Sequence, residues 1–192
     1  MKMRMNSFTC ALAIIITCFI YAGIPPVHGA ETPFPVYGSG PIQVQMYTDY
    51  FCPPCRAMEP AVEPLLIELV KNDKIRLTLV DVPLSRISAL YARYFLYALK
   101  TGNSFEQALK VRNILFIAAD QRITMKEKIE ELFKSKKIPY TPFEPKPVFA
   151  RFNTLIRDDG VNATPSCVIV RNGKKEKFVG GDDIIKALKG LK

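Results

Sequence analysis

The 192-residue chain has no tryptophan and a single histidine, His28. That histidine falls in an N-terminal stretch that reads as an export signal, so the mature protein is expected to have none. Haem attached through a pair of cysteines needs a histidine directly after the second, and Arg56 stands at that place. A zinc site wants four ligands, and three mature cysteines without a histidine fall short. No internal repeat, low-complexity tract or organic-cofactor motif is visible, so no cofactor and no resident metal are expected.

The export signal rests on Lys2 and Arg4, an apolar run from Phe8 to Ile24, and the break at Pro25-Pro26. Val27-His28-Gly29-Ala30 then offers small residues for cleavage after Gly29 or Ala30. The apolar run is about seventeen residues, near the lower limit for a membrane span, so an uncleaved anchor is the alternative. Either way residues 31–192 are expected in the periplasm or otherwise outside the cytoplasm, where disulfide chemistry is permitted. Cleavage removes Cys10 and Cys18 and leaves Cys52, Cys55 and Cys167. It takes two of the 27 basic residues and none of the 18 acidic ones, so the mature net charge is +7. About 162 residues remain, enough for one domain with a full core. Export argues against nucleic acid as the partner of this basic chain. The dense runs Lys134-Ser135-Lys136-Lys137 and Lys174-Lys175-Glu176-Lys177 read as solvated surface, with a modest pull on anionic lipid or acidic clients as the alternative.

What is present is Cys52-Pro53-Pro54-Cys55, entered through Tyr47-Thr48-Asp49-Tyr50-Phe51 and followed by a helical pattern. Two cysteines at this spacing, where a strand gives way to a helix, form a disulfide that opens and closes easily. The free N–H groups and positive end of the helix favour a thiolate on the first sulfur, and in such motifs thiol pKa values drop to roughly 3.5–7.5. Cys52 is therefore the candidate nucleophile and Cys55 its resolving partner. A purely structural disulfide here would close a four-residue loop for about 2 kcal/mol, against roughly 3 for a fifteen-residue loop.

Along the mature chain, residues 31–41 carry three prolines and two glycines and read as an extended lead-in. Ile42, Val44 and Met46 alternate with Gln43 and Gln45 as a strand. Met58, Val62, Leu65/Leu66 and Leu69/Val70 then recur at helical spacing. Pro53 and Pro54 suit a helix's first turn, whereas Pro60 and Pro64 should kink it. Residues 75–80 form a second strand, so a parallel βαβ unit is expected. Helices are expected from Ser85 to Lys100, from the Ser104/Gln107 capping box to about Ala119, and from the Thr124/Glu127 capping box to about Ser135. Residues 138–147 hold four prolines and read as an extended connector, with a short helix from Phe149 to Arg157. Strand 166–170, the hairpin signal Asn172-Gly173, strand 175–179 and a last helix capped at Gly180-Gly181-Asp182 complete the chain.

This order resembles the thioredoxin fold, and more closely its DsbA-like branch, in which helices are inserted before the final hairpin. Three matches carry the resemblance. Asp49-Tyr50-Phe51-Cys52-Pro53-Pro54-Cys55 is similar to the branch's aromatic approach to a C-P-x-C motif. Pro60 sits where thioredoxins bend the active-site helix. Val161-Asn162-Ala163-Thr164-Pro165 is similar to the family's cis-proline segment. The resemblance implies an α/β thioredoxin-like domain over 31–192 with a helical insertion at about 85–160. It implies that Pro165 faces Cys52 in cis, that Thr164 lies against the sulfurs, and that backbone near Thr164 and Pro165 binds an extended client.

The sequence departs from the family at two points. A buried acidic residue often lies six residues before the nucleophile, and here that place holds Met46. Asp49 and Glu59 are the nearest substitutes in sequence, each read as a solvated or capping residue. Pro53-Pro54 also lacks the histidine of strong oxidants and the glycine of reductases, which points to an intermediate redox potential. Cys167 reads as a small buried hydrophobe, with a redox or metal role as the alternative. The aromatic residues of 91–97 read as core, with a place on an apolar active-site rim as the alternative for some.

The expected function is an exported thiol–disulfide oxidoreductase that exchanges disulfides with client proteins and leans to oxidase. The expected partners are clients with thiols or disulfides and a DsbB-like oxidase or a DsbD-like reductant donor, with the protein acting as a monomer. The alternatives are a dedicated reductase for cytochrome or copper-site maturation and a Cu(I) carrier. The missing histidine and the lack of a methionine cluster at the motif count against the carrier.

Overall fold

The computed structural model describes residues 32–192; the expected signal segment, 1–30, lies outside the described residues. Five strands form one sheet in the order β1-β3-β2-β4-β5. Its centre is built from β2 (Ile42–Thr48) and β3 (Ile75–Asp81), which run parallel from Ile42 opposite Ile75 to Thr48 opposite Asp81. Helix α1 (Pro53–Lys71) joins them. β4 (Ser166–Arg171) is antiparallel to β2, with Cys167 opposite Met46, and β5 (Lys174–Val179) closes the other edge. The turn between β4 and β5 places Asn172 and Gly173 at positive φ, as a two-residue hairpin requires.

The lead-in is more than a lead-in: Val36–Tyr37 forms β1 and pairs antiparallel with β3 at Thr78 and Leu77. Two residues are too few to show an alternation in sequence. The β5 edge carries Lys174, Lys175 and Lys177, charges that discourage pairing with another chain.

Four helices lie between β3 and β4: α2 (Arg86–Leu99), α3 (Phe105–Asp120), α4 (Lys126–Ser135) and α5 (Lys146–Asp158). Ser85 and Ser104 accept the backbone N–H of Ser88 and Gln107, so both caps form. The capping box expected at Thr124 does not: the cap is Met125 and it makes no side-chain bond. α5 begins inside the proline-rich connector because Pro147 sits in its first turn, where a missing N–H costs little. α6 (Gly181–Lys189) packs on α1. Gly181 fits a close approach there, since a Cβ would sit 3.0 Å from the Met58 Cβ. α1 runs unbroken through Pro60 and Pro64.

The arrangement is the expected thioredoxin-like α/β fold of the DsbA-like type. Tyr91, Tyr94 and Phe95 are buried in its core, as their apolar surroundings imply. No helix among the described residues is long and apolar enough to cross a membrane.

Candidate active site

The site forms where β2 ends and α1 begins. Cys52 is the N-cap of α1 in an extended conformation, and Pro53 and Pro54 occupy the first two helical positions. The first helical bond runs from the Arg56 N–H to the Cys52 carbonyl. Asp49 builds the approach turn. Its two carboxylate oxygens accept the Phe51 N–H at 2.7 Å and the Leu84 N–H at 3.0 Å, fastening the β3–α2 loop to the motif. The Phe51 and Tyr91 rings meet edge to face.

Cys52 and Cys55 are free thiols. Cys52 keeps 7% exposure and Cys55 has none, while Pro53 and Pro54 between them are exposed. The Cys52 Sγ–H donates to the Thr164 carbonyl at 3.3 Å. The Thr164–Pro165 peptide bond is cis. The fold thus brings Cys52, Cys55, Thr164 and Pro165 together across more than a hundred residues of sequence. Burial, and secondarily the neighbouring Cys52 sulfur, push the Cys55 thiol up to about 12, against a lowering influence from the Asp49 backbone. Such a thiol keeps its proton at neutral pH until an acceptor takes it.

Cys167 is fully buried on β4, and desolvation pushes its thiol up to about 12. The small buried hydrophobe is what the structure contains. Among the described residues no group of three or more histidine, cysteine or acidic side chains is placed to hold a metal.

One turn beyond the cysteines the helix carries a second polar layer. Glu59, read from its position as a solvated or capping residue, is instead 7% exposed and bound to Arg112 of α3. Arg112 Nε donates to Glu59 Oε1 at 2.7 Å and an Nη2 hydrogen goes to Oε2 at 3.1 Å. Nη2 also donates to Thr48 Oγ1 at 2.9 Å, and the guanidinium lies over the Phe116 ring. The pair is desolvated because α1, α3 and the end of β2 enclose it, which an isolated stretch of α1 does not show.

Asp81, at the end of β3 opposite Thr48, joins this layer. Burial pushes its carboxyl up to about 7; Arg112 opposes the shift, and Asp49 and Glu59 add to it. One Asp81 oxygen, the Tyr50 hydroxyl and Arg112 Nη1 are buried without a hydrogen-bond partner among the described residues. Of the three buried carboxylates, Asp49 is satisfied by two backbone N–H groups and Glu59 by Arg112, and Asp81 is the one left with an unpaired oxygen. Sequence reasoning missed Asp81, Arg112 and Thr48. A charged residue among the apolar positions Val111, Ile114 and Leu115 was the one visible signal for Arg112.

A family model described as thioredoxin matches residues 36–188. No curated protein sequence matches the chain. Among solved structures, the catalytic domain of Proteus mirabilis ScsC aligns with a TM-score of 0.60 at 22% identity, covering 84% of this chain and 90% of that one. Wolbachia pipientis alpha-DsbA1 aligns at 0.64 and 15% identity, over 82% and 90%. A periplasmic thioredoxin-like protein from Salmonella enterica serovar Typhimurium aligns at 0.62 and 20% identity, over 82% and 89%. At these identities the likeness is one of fold.

Proposed function

The chain belongs to the thioredoxin family of thiol–disulfide oxidoreductases, and from that premise we propose that it is an exported enzyme that donates disulfides to client proteins. The observation that carries this reading is the Cys52–Cys55 dithiol at the start of α1, with the Cys52 sulfur against the Thr164 carbonyl.

In the donating direction a client thiolate attacks Cys52 Sγ of the oxidised protein. A mixed disulfide forms and the Cys55 sulfur leaves. A second client thiolate then attacks the client sulfur of the mixed disulfide, and Cys52 leaves. The client gains one disulfide, and the protein takes up two electrons and becomes a dithiol. Cys55 then takes a proton, as a buried thiol raised to about 12 must at neutral pH. Of the two sulfurs, only that of Cys52 belongs to a residue with any exposure left, so it is the one a client can attack. The Thr164–Pro165 backbone lies where an extended client segment would run past Cys52.

The reading includes export through the N-terminal segment, action as a monomer and reoxidation by a DsbB-like membrane partner. The salmonella neighbour is described as periplasmic, which agrees with export. Supply from a DsbD-like donor would turn the same chemistry into client reduction.

The experiment is the Cys52–Cys55 reduction potential, measured by equilibration with glutathione and thiol alkylation read by mass, with Cys167→Ala in parallel. The chain has no tryptophan to report the transition by fluorescence. A potential near about −120 mV identifies a disulfide donor, and one near about −270 mV identifies a reductase and overturns the direction proposed here. N-terminal sequencing of the mature protein tests export, with a new terminus at Ala30 or Glu31 expected.

A further inference from the structure

The two faces of β2 differ in kind. Val44 and Met46 are buried beneath the α1 side of the sheet, while Gln43 and Gln45 point to the other side. That other side is covered by α5, to which β2 is tied by the Tyr47 hydroxyl on the Leu155 carbonyl. Between them lies a cleft of about 500 Å³, the size of a small-molecule site. Gln43 and Gln45 of β2 and Arg76 and Thr78 of β3 form its floor, and Arg151 and Thr154 of α5 form its wall. A sheet face covered by a helix is ordinarily apolar, and this one presents amides, hydroxyls and two guanidinium groups.

Three observations define what would fit. No residue lining the cleft is acidic, and neither Arg76 nor Arg151 has an acidic partner among the described residues. The Arg151 guanidinium is stacked over Phe34, 3.5 Å from the ring centroid, an arrangement that fixes its plane and leaves its N–H edge for an anion. Finally, Gln45 Oε1 is buried without a hydrogen-bond partner among the described residues. A buried unpaired acceptor is costly and favours a ligand that brings a donor.

We propose that the cleft between α5 and the polar face of β2 and β3 binds a small hydroxylated carboxylic acid, its carboxylate held between Arg76 and Arg151 and its hydroxyl donating to Gln45 Oε1. The site is on the face opposite α1 and uses no residue of the dithiol, so it stands whatever the direction of disulfide exchange.

The test is a titration of the full chain with citrate, followed by amide NMR and calorimetry, with sodium chloride at matched ionic strength as the reference. Tricarballylate, which carries the same three carboxylates without the hydroxyl, is the second probe. Saturable shifts confined to residues 43–45, 76–78 and 150–155 are expected. Tricarballylate should bind roughly fivefold or more weakly, as expected when a buried acceptor stays unpaired. Arg76→Ala and Arg151→Ala, both at exposed positions, should each weaken citrate about tenfold, the range for a charge-assisted contact. Gln45→Leu should abolish the difference between the two probes while carboxylate binding persists. Disulfide exchange should be unchanged in all three variants. Shifts that follow ionic strength alone, that survive in the Arg76→Ala/Arg151→Ala double variant, or that are absent up to saturating citrate overturn the proposal. Equal affinity for citrate and tricarballylate in the unaltered protein overturns the role of Gln45.

Discussion

Two successive turns of α1 differ in what holds them. The first carries Cys52 and Cys55 and the second carries Glu59; all three are buried. The cysteines need only a strand-to-helix turn and one distant segment, the Thr164 carbonyl. Glu59 is held by Arg112, 53 residues away on α3. The first turn carries the proposed chemistry, which a short motif brings with it. The second is structure that the inserted helices complete. The helices between β3 and β4 are thus bonded into the helix that carries the cysteines, and what disturbs one turn should leave a distinguishable mark on the other.

The largest effect is expected in the first turn. Cys52→Ser should reduce disulfide exchange to background with the fold intact, read by a client refolding assay beside a urea melt. Cys55→Ser cannot form the disulfide that is donated and should lose donation as well. Offered a client disulfide, its Cys52 thiolate should attack it, and with no Cys55 to resolve the mixed disulfide a covalent adduct should build up on non-reducing mass analysis. Full exchange by Cys52→Ser would move the reaction to Cys167 and remove the basis of the proposed mechanism.

The next effect comes from the second turn. Arg112→Met leaves the Glu59 carboxylate buried without its partner and should cost about 3–5 kcal/mol in urea unfolding. Adding Glu59→Leu should return most of that loss, because an apolar pair of similar volume avoids desolvating both charges. A loss below about 1 kcal/mol for Arg112→Met, the size of a surface pair, would mean that α3 is not tied to α1 through this bond.

These two turns were unequally legible in the sequence. The motif at Cys52–Cys55, the βαβ unit, the hairpin at Asn172-Gly173 and most helices rest on local signals that operate over a few residues. β1 was not legible, because its two residues become a strand only by lying beside β3. The start of α5 was masked by prolines that are tolerated in a first helical turn. The Thr124 capping box failed because Met125 took the cap. Glu59 read as solvated because its partner lies on another helix. Asp81 ends an apolar strand, and nothing beside it in sequence announces its burial.

Asp81 makes the second polar layer respond to pH. Its carboxyl is raised from 3.8 to about 7, so between those values the folded protein holds a proton that the unfolded chain has released. Stability from this group therefore falls as pH rises from about 4 to about 7 and is level above that. The full span is on the order of 4 kcal/mol at most. Asp81→Asn keeps the neutral shape and should remove that slope, leaving the variant more stable than the parent at pH 8 and close to it at pH 4. Urea melts at both pH values check this. An unchanged difference between the two proteins across the window would place the titration elsewhere.

The smallest effect lies at the boundary between the two turns. Arg56, directly after Cys55, meets Asp120 at the end of α3 at 2.5 Å, with the two side chains 23% and 62% exposed. It also donates to the Tyr50 carbonyl at 3.3 Å. The geometry repeats that of Glu59 and Arg112 with the charges exchanged between the helices. Exposure makes the difference, since water solvates Asp120 well whether or not Arg56 is present. Asp120→Asn should therefore cost less than about 1 kcal/mol, and the cost should shrink further in 0.5 M salt. A salt-insensitive loss as large as that of Arg112→Met would show that both bonds between α1 and α3 are structural, and that exposure does not separate them.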